Sequence, residues 1–297
     1  MLSAPAPPVP IVDVRPVIEI RTASPLNEVA VDGGYAATLV GETPSWQYIL
    51  VWSTKGVVIR PSLLCDLQES DIVLAGERFA HICTEAGANT VLTATFHHSR
   101  GVARLNTQAF VTLAGQGSLV AGSAGRTLWR FDPTRKVKLH VYPSSVIVFN
   151  VDRNRILVGR TNTVLELVSR GGKRTATLKI PHVGGAVLRA LHIGSIASHR
   201  FILSNLHGKR VLTRPVVGDP SLVDFDGRLV LYSRGTSLHL LRVSDGKDVA
   251  LRFKSQFGYA SAKFWHGGFF YVYNVRGGPK PGHAGYVTAA AVKALLK

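Results

Sequence analysis

Short motifs of histidine, glycine and cysteine are the first places where this sequence could carry chemistry. His97 and His98 are metal-capable neighbours, but adjacent residues on a strand point to opposite faces and do not share one ion. Gly115–Ser118 and His266 have the glycine neighbours that are typical of hairpin turns. The sequence has no G-x-S-x-G, H-E-x-x-H, P-loop or Cys-x-x-Cys motif. We therefore predict no metal ion, no cofactor and no catalytic residues, although distant loops could still assemble an enzyme site.

Two cysteines, Cys65 and Cys83, are the other reactive groups. An even, low count fits either an oxidising or a reducing compartment. If oxidised, the pair would close a loop of about 20 residues and stabilise the fold by roughly 3 kcal/mol in the chain-entropy picture. If reduced, both would be small buried apolar groups. Because both fall in one repeat unit, we predict the disulfide.

Any site must be positioned by strands, and the clearest strands lie between residues 221 and 253. Four short apolar runs, at 222–225, 228–233, 237–243 and 248–253, are separated by Asp-Gly, Arg-Gly and Asp-Gly turns. This pattern predicts one antiparallel meander. A single small meander cannot bury both of its faces, so it needs similar neighbours stacked against it.

Degenerate copies of this unit recur along the chain at a spacing of about 35 to 40 residues. Copies start at Val29, Ile72, Val111, Ile147 and Leu222. We place one more unit over 187–216, with its turn at 194–198, and a last unit near Tyr259. The count predicts an all-β, seven-bladed β-propeller of four-stranded antiparallel blades. A strand near 17–22 is predicted to close the ring as the outer strand of blade seven, with an independent edge strand as the alternative.

Length and composition agree with one propeller domain. The 297 residues are 46% hydrophobic and 18% charged, and closed all-β architectures of this size form single domains. We predict a flexible Ala/Pro-rich segment over residues 1–10, without the features of an intact signal peptide, and a single domain over 11–297. Only residues 289–296 could form a helix. No apolar run approaches ~18 residues, so we predict no transmembrane segment.

The net charge of +17 favours anionic partners. In a propeller, the turns between strands one and two and between strands three and four emerge on one face, which we call the front face. The blade-to-blade connections and the turns between strands two and three emerge on the opposite, back face. Basic turns are predicted to converge on the front face of blades three and four, either as a solvated surface or as a polyanion-binding patch. This group consists of Arg135, Lys136, Lys138, Arg153, Arg155, Arg170, Lys173 and Arg174.

The back face is predicted to collect a second set of polar residues around the mouth of the central channel. An aromatic group with converging polar side chains is what a small-molecule pocket needs, although ordinary loop polarity explains each residue singly. The predicted ligand-binding residues are Trp46, Glu85, His182, His207 and His283.

The repeats resemble the WD40-like propeller repeats of bacterial TolB-type proteins, in particular uncharacterised bacterial members. The resemblance rests on Asp-Gly or Ala-Gly turns between apolar strands, on strands such as 127–131 and 237–241, and on a following Asp-Gly-Lys. It covers about residues 27–297. The Gly-His and Trp-Asp pairs of true WD40 blades are absent, so their hydrogen-bond network is not implied. Members of the group act as extracytoplasmic binding or scaffolding modules or gate peptidases; no peptidase domain follows here, so gating is not expected.

Three classes of function remain open. The first, which we favour, is a non-catalytic binding or scaffolding module for a protein or peptide, monomeric and extracytoplasmic, with the cytoplasm as the alternative location. The second is a polyanion binder, for nucleic acid or anionic glycan, through the basic front face. The third is a hydrolase or lyase with a histidine and a carboxylate near one point over the central channel.

Overall fold

The computed structural model describes residues 9–41, 48–53, 58–59, 72–85, 88–96, 104–216, 218–254, 256–277 and 279–297. Apolar runs bounded by tight turns form strands almost throughout. In the first half of the chain the strands are β1 (Ile11–Asp13), β2 (Ile18–Thr22), β3 (Leu26–Asp32), β4 (Tyr35–Val40), β5 (Tyr48–Ser53), β6 (Val58–Ile59), β7 (Ile72–Ala75), β8 (Arg78–Glu85), β9 (Ala88–Thr95), β10 (Leu105–Thr107), β11 (Val111–Gln116), β12 (Leu119–Ala124), β13 (Thr127–Phe131) and β14 (Lys136–Val141).

The second half of the chain continues in the same way and ends in one short helix. Its elements are β15 (Ile147–Asp152), β16 (Arg155–Thr161), β17 (Val164–Ser169), β18 (Arg174–Lys179), β19 (Ala186–Arg189), β20 (His192–Ala197), β21 (Arg200–Asn205), β22 (Arg210–Pro215), β23 (Pro220–Phe225), β24 (Leu229–Arg234), β25 (Ser237–Arg242), β26 (Asp248–Arg252), β27 (Gln256–Trp265), β28 (Gly268–Val275), β29 (Gly282–Val287) and α1 (Ala289–Leu295).

These strands form seven four-stranded antiparallel blades in a propeller ring, as the sequence predicts. Blades one to six are the consecutive groups β3–β6, β7–β10, β11–β14, β15–β18, β19–β22 and β23–β26. Blade seven contains β27, β28 and β29 with β2 as its outer strand, in register from Ile18 opposite Tyr286 to Thr22 opposite Gly282. The N-terminal strand therefore closes the ring, which confirms the prediction for residues 17–22.

One strand and one turn differ from the prediction. Strand β1 pairs in parallel with β26 and adds a fifth strand to blade six. In the unit over 187–216, residues 194–197 lie inside β20 rather than in a turn. The turns that flank β20 instead use Ala190, Ser198 and His199, whose φ angles are 51°, 50° and 58°. The turn was predicted at this place because Gly194 and Ser195 are residue types that are common in turns. In the structure, Gly194 instead packs against Phe201 and Phe225 at a point too tight for a side chain.

The hydrophobic core is divided into seven clusters, one in each interface between neighbouring blades. Alternation along each strand makes this possible, since successive side chains point to opposite faces. In β4, for example, Ala36 and Val40 pack against blade seven, whereas Ala37 and Leu39 pack against blade two. Every blade is thus buried on both faces, which is why the strands contain near-continuous apolar runs.

The C-terminal helix α1 completes the interface between blades six and seven. Thr288 caps it by accepting a hydrogen bond from the Ala291 amide at 3.3 Å, and Val292 and Leu296 pack into the cluster that contains Tyr271. The prediction of a helix at 289–296 is confirmed. Among the described residues, no helix has the length and apolar character needed to cross a membrane.

Candidate functional site

A central channel of about 410 Å³ runs between the inner strands of all seven blades. The charged residues that line it are largely engaged with its own walls. Arg189 pairs with Asp224 at 3.2 Å, and Lys263 donates to the carbonyl of Val223 at 2.8 Å. The histidine–carboxylate pairs seen in the described part of the chain, His283–Glu19 and His239–Asp248, lie away from the residues lining the channel.

Hydrogen bonds between blades form a belt around the front mouth of this channel. The Asp32 carboxylate of blade one accepts from the amides of Gly76 at 2.6 Å and Gly117 at 2.5 Å, in the turns of blades two and three. The Gln116 side chain accepts from the Arg153 amide at 2.7 Å. Four more hydrogen bonds continue the belt. The Ala190 amide donates to Asp152 Oδ2 at 2.8 Å, and Arg189 Nε donates to the Phe225 carbonyl at 3.0 Å. The Phe264 amide donates to Asp224 Oδ2 at 2.8 Å, and Trp265 Nε1 donates to the Gly33 carbonyl at 3.0 Å.

The predicted basic cluster does lie on the front face of blades three and four, but many of its side chains bind the protein itself. Arg170 donates to the Ser118 hydroxyl at 2.9 Å, and its carbonyl accepts from Arg130 at 3.0 Å. Arg135 pairs with Asp132 at 3.3 Å. Further contacts are Arg155 with Asp152 at 3.1 Å, Arg174 with Glu166 at 3.5 Å, and Lys136 over the Trp129 ring at 5.9 Å. Arg153, Lys173 and Lys138 are exposed.

The predicted ligand-binding residues do not form one site. His207 lies in the turn between β21 and β22, the third and fourth strands of blade five, so it is on the front face and its predicted position on the back face is wrong. His182 is buried in the connection from blade four to blade five, where it bonds the Ile180 carbonyl at 2.7 Å and packs edge-on against Phe149. Burial lowers the pKa of His182 and favours the neutral ring.

The other three predicted ligand residues are separated as well. Trp46 lies outside the described residues. Glu85 ends β8 at the back face, opposite Ala88. His283 is in strand β29, after the short connection over residues 276–281, and not in a loop at the mouth of the channel. Its Nδ1 atom lies 2.7 Å from Glu19 Oε1, at the outer edge of blade seven.

Exposed apolar side chains on the back face form a feature that the sequence reasoning missed. Phe110 precedes the inner strand of blade three, Ile147 begins that of blade four, and Val183 lies in the connection to blade five. Their exposed fractions are 72%, 43% and 72%, and Val141 nearby in blade three is 52% exposed. We call these four residues the apolar arc.

Backbone hydrogen bonds hold the arc in place. The Gly125 amide donates to the Phe110 carbonyl at 3.1 Å, and the Gly125 carbonyl accepts from Val146 at 3.0 Å, so one turn braces both connections. Val183 sits at the tip of a tight turn closed by the Gly185 amide and the His182 carbonyl at 2.9 Å. Successive inner strands are neighbours, so Phe110, Ile147 and Val183 follow the rim of the channel's back mouth, whereas Val141 ends the outer strand of blade three.

Charge around the arc is strongly positive. Residues 104–216 contain 18 Lys and Arg but only three acidic residues, which gives this stretch +15 of the total +17. Asp132 and Asp152 lie at the front face, and Glu166 is fully buried between Arg160 and Arg174. Within residues 104–216, the back face therefore has no exposed carboxylate; the nearest one along the chain is Asp219, in the connection from blade five to blade six. The exposed cations of the back face in this stretch are Arg126, Lys179 and Arg200.

The structure shows Cys83 in a disulfide bond. Its predicted partner, Cys65, lies outside the described residues, so the pairing itself stays a prediction.

Comparison with known proteins supports the fold. Neither protein families nor curated proteins give a match to the sequence. The Cps50 (Swd1) β-propeller domain of Myceliophteria thermophila is similar over 92% of this chain and 99% of its own, at 13% identity and a TM-score of 0.63. A form of KlHsv2 with its loop 6CD replaced by a Gly-Ser linker matches over 84% and 89%, at 11% identity and a TM-score of 0.59.

A third similar structure, BamB from Moraxella catarrhalis, covers 87% of this chain and 83% of its own, at 11% identity and a TM-score of 0.52. At such low identities the similarity shows a β-propeller and nothing finer.

Proposed function

We propose that this propeller binds a protein or peptide partner and that the apolar arc is the binding surface. The observation that carries the proposal is the exposure of Phe110 and Val183, each 72%, on the connections that enter blades three and five. Large apolar side chains clustered on a surface mark interaction sites more often than scattered ones do. Aromatic residues are also enriched among the side chains that dominate binding energy.

The positive charge next to the apolar arc restricts the class of partner that would bind there. Arg126, Lys179 and Arg200 lie on the same face as the arc, and residues 104–216 add no exposed carboxylate to that face. Complementary charge steers association and suppresses wrong partners. The partner segment we propose therefore combines apolar side chains with aspartate or glutamate.

The test is a selection of peptides from a random display library on the immobilised protein, followed by affinity measurements on single peptides. We expect selected peptides to contain acidic and apolar residues and to bind the Phe110→Ser/Val183→Ser variant at least about ten-fold more weakly, since two central contacts are lost. Leu191→Ser is the matched control, because Leu191 is 65% exposed on the front face. Peptides that bind both variants equally would contradict the proposal.

We further propose an extracytoplasmic, monomeric, TolB-like scaffolding protein. The disulfide at Cys83 supports this location, because such bonds persist in oxidising compartments and are rare in the cytosol. Alkylation of the protein from its natural host, before and after reduction, tests it. Free thiols in that sample would favour the cytoplasm.

Polyanion binding is the second candidate, favoured by the charge of +15 over residues 104–216. The contacts of Arg135, Arg155 and Arg170 within the front face reduce the number of cations available to phosphates or sulfates. A salt series with a single-stranded oligonucleotide or heparin separates the two functions. Polyanion affinity should fall steeply as salt rises, whereas binding at the apolar arc, which has three exposed cations on its face, should fall less steeply.

A further inference from the structure

A cavity of about 490 Å³ lies at the outer edge of the interface between blades six and seven. The N-terminal segment Val14–Pro16 crosses it, because β1 belongs to blade six and β2 to blade seven. The amide of Val14 donates to the Arg252 carbonyl, and that of Val17 to the Tyr286 carbonyl, each at 3.0 Å. The volume is in the range of small-molecule sites. We call this cavity the strap pocket.

Its inner wall carries an ordered row of polar and aromatic side chains. Arg21, His283 and Tyr273 stand directly opposite one another on three neighbouring strands of blade seven. His283 Nδ1 lies 2.7 Å from Glu19 Oε1 and 3.3 Å from the Tyr273 hydroxyl. The rings of His283 and Tyr273 stack at 4.9 Å. These contacts hold the Glu19 side chain in place and restrict the movement of the side chains in this wall.

Tyr271 is the residue that points to a ligand. It is 1% exposed, and it lines the pocket. Its hydroxyl is both a hydrogen-bond donor and an acceptor. The hydroxyl lies over Gly285, where a β-carbon would come within 2.5 Å of it. Burial raises the pKa of Tyr271, so the group stays protonated and can donate.

The charges at the entrance indicate the chemistry of a ligand that would suit this pocket. Arg15, Arg21 and Lys254 are exposed residues that line the pocket, and together they outnumber its one carboxylate, Glu19. Glu19 is already in contact with His283 at 2.7 Å and paired with Arg21 at 3.4 Å. A hydrogen-bond donor at the bottom and guanidinium groups at the rim suit an oxyanion.

We propose that the strap pocket binds a small organic anion, whose carboxylate or phosphate oxygens accept from the Tyr271 hydroxyl and from Arg21. Binding would link the N-terminal segment to blade seven at the point where the ring closes. This site is independent of the apolar arc, which lies on blades three to five.

Calorimetric titration with citrate, benzoate and inorganic phosphate tests the proposal and distinguishes carboxylate from phosphate ligands. We expect saturable one-to-one binding of at least one probe. Tyr271→Phe keeps the ring but removes the hydroxyl donor, and it should lower the affinity for that probe by about five-fold. Arg21→Ser should lower the affinity for the same probe by a similar factor.

Arg153→Ser is the matched control, because it removes the same charge from an exposed front-face turn of blade four and should leave affinity unchanged. Urea unfolding of each variant confirms that the fold is intact. Three results would overturn the proposal: no saturable binding of any probe, equal affinity for wild type and Tyr271→Phe, or an equal loss in Arg21→Ser and Arg153→Ser. The last would indicate attraction by overall charge only.

Discussion

The buried histidine His81 should make this protein less stable in weak acid. His81 is 1% exposed in the second strand of blade two and stacks on Phe79 with ring centroids 5.6 Å apart. Burial lowers its pKa from 6.5 to about 4. The folded state therefore holds the ring neutral at a pH where the unfolded chain would protonate it.

The sign of the effect follows from that difference. The unfolded state binds more protons below pH 6.5, so stability is complete above that value and falls as the pH drops towards 4. With a pKa of about 4 in the folded state, the loss between pH 7 and pH 5 is about 2 kcal/mol. Buried His182, whose pKa burial also lowers, adds a loss in the same window.

Urea unfolding of wild type and His81→Leu at pH 7, 6 and 5 measures this effect directly. Leucine cannot protonate, so the variant should lose about 2 kcal/mol less than wild type over that range. The comparison is made between pH values within each protein, which removes any constant packing difference at position 81. Parallel stability curves for the two proteins would refute the reasoning.

Three further changes probe the belt, the front face and the strap pocket. Asp32→Ala leaves two turn amides without their acceptor and should lower the free energy of unfolding by about 2 to 3 kcal/mol; a loss within measurement error would contradict the belt. Hydrogen bonds from Arg130 lower the pKa of Asp132, so Asp132→Asn should lose stability at pH 7, with the deficit shrinking as the pH falls through the carboxylate's folded-state pKa; a constant deficit would argue against this pairing. Gly285→Ala pushes a β-carbon towards the Tyr271 hydroxyl and should lower the free energy of unfolding by about 1 to 3 kcal/mol; an unchanged urea midpoint would contradict that packing.

The architecture could be predicted because each blade repeats a local pattern. Turn dipeptides and apolar alternation specify hairpins without long-range information, and the count of hairpins specifies the ring. The closing strand at 17–22 was predictable because the last unit, from 256 to 287, supplies only three strands. Strand β1 was not, since blade six is already complete with β23–β26 and the repeat gives no signal for a fifth strand in parallel pairing.

The candidate sites were harder to predict because they depend on partners across blades. Arg155 and Arg170 carry the same charge as Arg153, but only the structure shows that their side chains are bound to Asp152 and Ser118. His207 was placed on the wrong face because the unit's first turn was set at 194–198, whereas in the structure it lies at 190–191. A signal for the apolar arc did exist: Phe110 is a large apolar residue in a blade-to-blade connection, where polar residues are expected.

The most direct test of the proposed binding surface is carbene footprinting of the protein with and without a selected peptide. Carbene labels exposed side chains, so Phe110, Val183 and Leu191 should all be labelled in the free protein. We expect the peptide to reduce labelling of Phe110 and Val183 several-fold while leaving Leu191 unchanged. Protection of Leu191 with no change at Phe110 and Val183 would show that the partner binds the front face and would contradict the account.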